Sequence, residues 1–344
     1  MTLRRLVAAI HRLYAWLERH EGLLWWVHSL WALGLGVVVM WLGARNFLWL
    51  RLAALHVVVI WSASLLLANF VDRPEHQSVW WKRLRLVINY VTKNFYQQIL
   101  FFILPIYAGS ATLGSGNVAF IILVGVSALL STLDIVYDRY LTPRRGLNAL
   151  FFAFNLFAAL AVALPILASV SNAWALRAAG LAAVVGYATI ALRPSQLTRR
   201  VTWLTGAAGA MMLVGAIEFL MPFVPPAPLR LSNSRFSTGL DRNQFEAVWP
   251  LDALPARWSG RLYAVTSLHA PLGLQDTVEL RWFKGGRQLW QSNPHDFVGG
   301  RREGFRLWSA VTIGPDAPAG PVRLDVVTGA GQLIGRLTLP VAAQ

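Results

Sequence analysis

The run Gly299–Ser309 (GGRREGFRLWS) is the sharpest chemical feature of the C-terminal part of the chain. Arg301, Arg302 and Arg306 offer guanidinium forks that match a carboxylate or phosphate in two-point geometry. Trp308, with Trp282 or Trp290 from earlier segments, offers indole faces on which a sugar or peptide group would stack. Arg301, Arg306, Trp308 and Trp282 are therefore the candidate ligand-binding residues of the C-terminal part. The competing structural reading is that the tryptophans fill a core and that pairs with Glu303 brace a hairpin.

A second group lies inside apolar stretches, where a polar side chain costs a few kcal/mol unless paired. Asp134 reads as an ion or substrate contact, or as a partner of Arg139 or Arg144. Asn155 reads as an interhelical hydrogen-bonding amide. Gln97 and Gln98 precede Pro105, which would kink a helix beside them. Glu218 reads as an interfacial carboxylate or a partner of Arg45 or Arg51. Convergence of Asp134, Asn155, Gln97 and Gln98 in one cavity would make a transport or sensing site.

No local catalytic motif accompanies these residues. HExxH, a P-loop, a dinucleotide fingerprint and a nucleophile elbow are all missing. The seven histidines show no metal-ligand spacing, and there is no cysteine, so disulfides and thiolate chemistry are excluded. We expect no cofactor and no metal, and assign no catalytic residue.

The elements that would position these groups divide at Ile217–Pro228 (IEFLMPFVPPAP). The four prolines there forbid further helix, since each lacks a backbone donor and clashes with the preceding turn. The chain of 344 residues is 56% hydrophobic and only 14% charged, against roughly 25% charged in a soluble domain. Of the net charge of +15, eighteen Lys and Arg against seven Asp and Glu precede Pro228. Anionic lipid and the positive-inside rule account for such an excess, and nucleic acid is not an expected partner.

Residues 1–22 show apolar positions at helical spacing broken by Arg4, Arg5, Arg12 and Arg19, which predicts an amphipathic interfacial helix. Seven spans of about 20 apolar residues each are then expected over 23–221: Leu23–Leu42, Phe47–Asn69, Asn94–Leu113, Val118–Tyr137, Asn148–Val170, Trp174–Leu192 and Val201–Met221. Trp80, Leu84, Val87 and Val91 share a helical face and predict a second interfacial helix. Basic residues cluster in alternate loops, which places the N-terminus in the cytoplasm and the tail in the periplasm of a bacterial inner membrane.

After the proline-rich linker 222–228 the apolar period becomes two. Val278, Leu280 and Trp282 alternate with polar neighbours, as do Leu307, Ser309, Val311 and Ile313, and Val322, Leu324 and Val326. Period two over short runs predicts strands with one buried face. Six or seven of them over 229–344 suggest an antiparallel immunoglobulin-like sandwich. The expected fold class is thus a membrane all-α bundle of about seven transmembrane helices followed by a soluble all-β domain.

Ala264–Gly273, Arg281-Trp282 with Lys284-Gly285-Gly286, Gly299–Ser309 and Gly320–Val341 together resemble the bacterial domain-of-unknown-function family 2914. The preceding part, including Gln97–Tyr107 (QQILFFILPIY), resembles domain-of-unknown-function family 5924. Leu280 and Val322 stand where the first family's pattern has His and Trp. The resemblance implies an architecture and no activity. We therefore expect a membrane-anchored module that binds an envelope glycan, lipid or protein partner. The alternatives are a transporter or sensor working in the bundle, and an integral-membrane enzyme acting on a lipid-linked substrate.

Overall fold

Among the described residues, the elements between 79 and 223 are helical and those after Pro228 are strands, in a computed structural model. It describes residues 78–133, 136–192, 200–241, 243, 245–255 and 258–342, with scattered positions between 27 and 62. The helices are α1 (Val79–Gly109), α2 (Val118–Thr132), α3 (Arg145–Leu167), α4 (Asn172–Ala191) and α5 (Arg200–Leu220). A π-helical turn, Tyr137–Leu141, and a 3-10 turn, Met221–Phe223, punctuate them.

The seven-span expectation is corrected here. Among the described residues two helices, α3 and α4, are long and apolar enough to cross a membrane. They correspond to the fifth and sixth predicted spans. The predicted third span and the second interfacial helix are one continuous helix, α1, of 31 residues. Lys82, Arg83, Arg85, Lys93, Asn94, Gln97 and Gln98 dilute its apolar character. The predicted fourth span is cut to the 15 residues of α2, about 22 Å of helix against about 30 Å of hydrocarbon. The predicted seventh span corresponds to α5, which is not one of the two. The N-terminal amphipathic helix and most of the first two predicted spans lie outside the described residues.

The helical part is held by one apolar cluster in which α1, α2, α3 and α4 all take part. Small residues let α3 and α4 approach: a side chain at Gly186 would meet Phe152 Cε1 at 2.7 Å and Leu156 Cδ2 at 2.9 Å. Tyr107, fully buried, donates its hydroxyl to the carbonyl of Ala158 at 2.8 Å and so ties α1 to α3.

Among the described residues the sandwich has nine strands: β1 (Arg230–Asp241), β2 (Glu246–Leu251), β3 (Gly260–His269), β4 (Gln275–Lys284), β5 (Arg287–Gln291), β6 (His295–Val298), β7 (Phe305–Ile313), β8 (Val322–Thr328) and β9 (Leu333–Leu339). One sheet runs β2-β1-β3-β7 and the other β5-β4-β8-β9, with β6 also on β4. All strand pairs are antiparallel. The alternation in β4, β7 and β8 follows the pleat: Val278, Leu280 and Trp282, Leu307 and Val311, and Val322, Leu324 and Val326 all enter the shared core.

Candidate functional site

The four residues expected to bind ligand in the sandwich do not form one site. Trp282 is 0% exposed, its ring 5.7 Å from that of Phe236. Its indole N–H donates to Ser309 Oγ at 2.7 Å, so even its polar atom is satisfied within the core. Trp308 alternates onto the outer face of β7 and is 39% exposed. Arg306 shares that face and pairs with Glu303 at 3.3 Å. Arg301 lies in the β6–β7 loop with its guanidinium 5.1 Å from the Phe305 ring centre. Arg306 and Trp308 therefore come together, opposite Ser267 and Val265 of β3. Trp282 belongs to the other sheet and to the inside.

The polar candidates of the helical part are also dispersed. Asn155, 3% exposed, donates Nδ2 to the Phe151 carbonyl of its own helix at 2.7 Å, while its Oδ1 has no partner among the described residues. Gln97 is buried and Gln98 exposed, because adjacent positions on α1 point to different sides. Glu218 pairs with Arg177, at 2.5 and 3.2 Å through two guanidinium nitrogens, and so joins α5 to α4. Asp134, Arg45 and Arg51 lie outside the described residues. Among the described residues no group of three or more His, Asp or Glu side chains is placed to hold a metal ion.

The concave surface lies where the two parts meet. The α3–α4 loop and the first turns of α4 face the start of β4, β6 and the β8–β9 turn across a cleft of about 580 Å³. Trp174, Arg177, Asp276, Asp296, Gln275 and Thr277 supply its chemistry. Its position is set by three long-range polar contacts. Asp276 Oδ2 accepts from the backbone N–H of Asn172 at 3.0 Å, at the N-terminus of α4. Gln332 donates Nε2 to the Val224 carbonyl at 3.0 Å, and Asn117 donates Nδ2 to the Leu333 carbonyl at 3.4 Å. Ser171, the N-cap of α4, makes no side-chain capping bond, so the carboxylate from the sandwich does that work.

A second cavity, about 920 Å³ and lined almost wholly by apolar side chains, runs along α4 between α2, α3 and α5. Its wall includes Phe120, Phe154, Gly180, Tyr187, Gly209 and Phe223. Both cavities are lined in part by α4. Arg177 lines the polar cleft, while Leu176 and Gly180 on the same helix line the apolar one. Glu218, the partner of Arg177, sits between Ile217 and Phe219 of the apolar wall. The Arg177–Glu218 ion pair thus ties a residue of the polar cleft to the helix that walls the apolar cavity.

Sequence reasoning missed this site. Arg177 is the lone basic residue within the α4 sequence, which is a usable signal. Trp174 reads as an ordinary interfacial anchor. Nothing local marks Asp276 or Asp296.

A family model described as a family of unknown function, DUF5924, matches residues 3–258. The chain belongs to the DUF5924 family. The match takes in the whole helical part together with β1 and β2, and stops just before β3. No curated protein matches this DUF5924 member. Among solved structures, an immunoglobulin-like protein from Pseudomonas aeruginosa aligns at 14% identity and TM-score 0.23, covering 34% of this chain and 98% of that one. The alkylpurine DNA glycosylase AlkC of Pseudomonas fluorescens, bound to DNA containing an abasic site analogue, aligns at 8% identity and TM-score 0.24, covering 89% and 99%. At these scores neither likeness informs the function of the DUF5924 chain.

Proposed function

We propose that this DUF5924 protein is a membrane-anchored binding protein of the bacterial envelope, and that its ligand is an amphiphile held along α4 by the two cavities. The observation that carries the reading is α4 itself, whose Trp174 and Arg177 line a polar cleft and whose Leu176, Gly180 and Ala183 line an apolar groove. Hydrocarbon would occupy the groove. The head group would meet Trp174, Asp276 and Asp296, an aromatic face beside two carboxylates, which suits hydroxyl or ammonium donors. Both volumes fall within the range of small-molecule sites.

In this reading α3 and α4 cross the inner membrane, α5 runs back beside α4 so that its end meets Arg177, and the sandwich that follows it is periplasmic. Arg139, Arg144 and Arg145 precede or open α3, Arg193, Arg199 and Arg200 follow α4 or open α5, and residues 168–171 between the helices carry no charge. By the positive-inside rule the α3–α4 loop, and the sandwich that touches it, face away from the cytoplasm. The likeness of the sandwich to domain-of-unknown-function family 2914 belongs to the same proposal.

The test is native mass spectrometry of the full chain released from its membrane in lipid-preserving particles. A bound lipid species should be retained by the wild type. It should be lost on Ala183→Trp, which fills the groove, and weakened on Trp174→Ala. Equal retention in all three proteins would remove the proposal.

A further inference from the structure

The turn between β3 and β4 is built with an apolar tip. Leu272, in Ala270–Gly273, is 83% exposed and takes no part in the sandwich core. The β6–β7 loop is packed flush against this turn. Gly300 N–H donates to the Ala270 carbonyl at 3.0 Å, and Gly299 N–H to the Leu274 carbonyl at 2.8 Å. A side chain at Gly299 would stand 2.0 Å from the Pro271 carbonyl oxygen, so only glycine allows the approach. The consequence is that Arg301 and Arg302 follow directly beside Leu272. Arg230, at the foot of β1, pairs in register with His269 just before the same turn.

These arginines are not neutralised from within. Among the described residues no carboxylate lies within 4.0 Å of Arg230, Arg301 or Arg302, and the neighbouring Glu303 is engaged by Arg306. Asp276 and Asp296 sit on the β4–β6 side and line the cleft. The level of this rim relative to the helices is fixed. A side chain at Gly273 would lie 3.1 Å from Ser169 Oγ, in the loop joining α3 to α4. The first residue of α4, Asn172, bonds Asp276. Leu272 therefore stands level with the ends of the two apolar helices, as does Trp174, itself 65% exposed. In a membrane-crossing α3–α4 pair, that is the height at which head groups meet acyl chains.

We infer that this rim, Leu272 with Arg230, Arg301 and Arg302, rests on an anionic phospholipid leaflet. The leucine enters the acyl boundary and the guanidinium groups bind lipid phosphates. This rests on the preceding reading that α3 and α4 cross the bilayer. Arginine forks suit phosphate oxygens. Each basic residue near an anionic surface adds about fivefold to the association, and salt screens that gain within a Debye length of about 8–10 Å.

The chain has no cysteine, so single sites can be labelled in the full-length protein. Leu272→Cys, Arg287→Cys and Val185→Cys would each carry an environment-sensitive fluorophore in nanodiscs of phosphatidylcholine alone or with phosphatidylglycerol. Arg287 opens β5 and pairs with Lys284 at the far end of β4, about 27 Å from Asp276 at strand spacing; Val185 lies within α4 and is exposed. Lipids spin-labelled near the head group should quench the 272 label. The quenching should increase with phosphatidylglycerol and fall in high salt. Arg301→Gln with Arg302→Gln should abolish the phosphatidylglycerol-dependent part, and the 287 label should stay unquenched throughout. A 272 label that behaves like the 287 label overturns the inference, as does quenching indifferent to lipid charge and to the arginines. Failure of mid-chain spin labels to quench the 185 label would instead overturn the crossing of α4, and with it the reading on which the rim depends.

Discussion

Removing the Asp276 carboxylate should loosen the start of α4, a helix in the other half of the molecule. Asp276 Oδ2 accepts from the Asn172 N–H at 3.0 Å and lies 3.4 Å from its Nδ2. Its Oδ1 accepts from the Thr277 N–H at 2.8 Å, which sets the carboxylate's orientation. A hydrogen bond to a charged group is worth about 1.5–3 kcal/mol, and a charge at a helix N-terminus about 0.3–1 kcal/mol. The site is partly buried, so we take about 2 kcal/mol for Asp276→Ala, which is about 30-fold in a local opening constant. Asp276→Asn keeps an acceptor and should cost about half of that free energy. The assay is amide hydrogen exchange of the full chain, read on a peptide spanning 168–176. The amides of Asn172 and Ala175 report, since Ala175 N–H makes the bond to the Ser171 carbonyl at 2.9 Å. Asp296→Ala, which removes the neighbouring carboxylate of the cleft, should leave them unchanged. Unaltered exchange at both amides in Asp276→Ala, with the sandwich still protected, would refute capping across the junction.

Three further outcomes are expected. Trp282→Ala should destabilise the sandwich by about 3–5 kcal/mol, and Ser309→Ala by about 1–3 kcal/mol through the orphaned indole N–H, while Trp308→Ala stays within about 0.5 kcal/mol; near-ultraviolet dichroism against denaturant checks all three. Gly186→Leu should separate α3 from α4 and lower the thermal midpoint of the helical part, at a cost of at least about 1–3 kcal/mol. His269, whose Nε2 lies 2.7 Å from Ser232 Oγ, is held below the ordinary imidazole range by burial and then by the Arg230 charge. The unfolded chain therefore binds the proton more readily, so stability should fall as pH drops through and below about 6.5. His269→Asn should flatten that slope in denaturant titrations, and an unchanged slope would discard the assignment.

The strands were legible because burial of one sheet face imposes a parity that no other element produces. The alternation of Val278, Leu280 and Trp282 already places the indole inside, and treating Trp282 as a ligand contact set that parity aside. The span count was less legible because hydropathy responds alike to burial in lipid and burial in protein. Phe120, Val124 and Ala128 of α2 are buried against neighbouring helices, so their apolar run does not measure bilayer thickness. The junction was illegible for a different reason. Asn172 and Asp276 are 104 positions apart, Val224 and Gln332 108, and Asn117 and Leu333 216. Each contact sets an ordinary polar side chain on a backbone group far along the chain, and only the fold brings the two together.

The junction is also where the energetics differ in kind. The helical part and the sandwich hold two separate apolar clusters, and Ala330 is among the few sandwich residues packed against the helical one. What joins them includes directional bonds from side chains to backbone groups and a carboxylate at a helix end. Such bonds contribute about 0.5–1.5 kcal/mol each when neutral, because water competes for the same groups. Apolar burial would instead scale with area and resist any relative shift. A polar seam of this type fixes register while remaining separable at the cost of a few bonds. The cleft between Trp174 and Asp296 lies along that seam, so a ligand seated there would touch both halves and add its own contacts to the few that hold them. Ligand binding should therefore slow exchange at Asn172 and at Gln332 together, since a group bridging the seam stabilises only the closed arrangement.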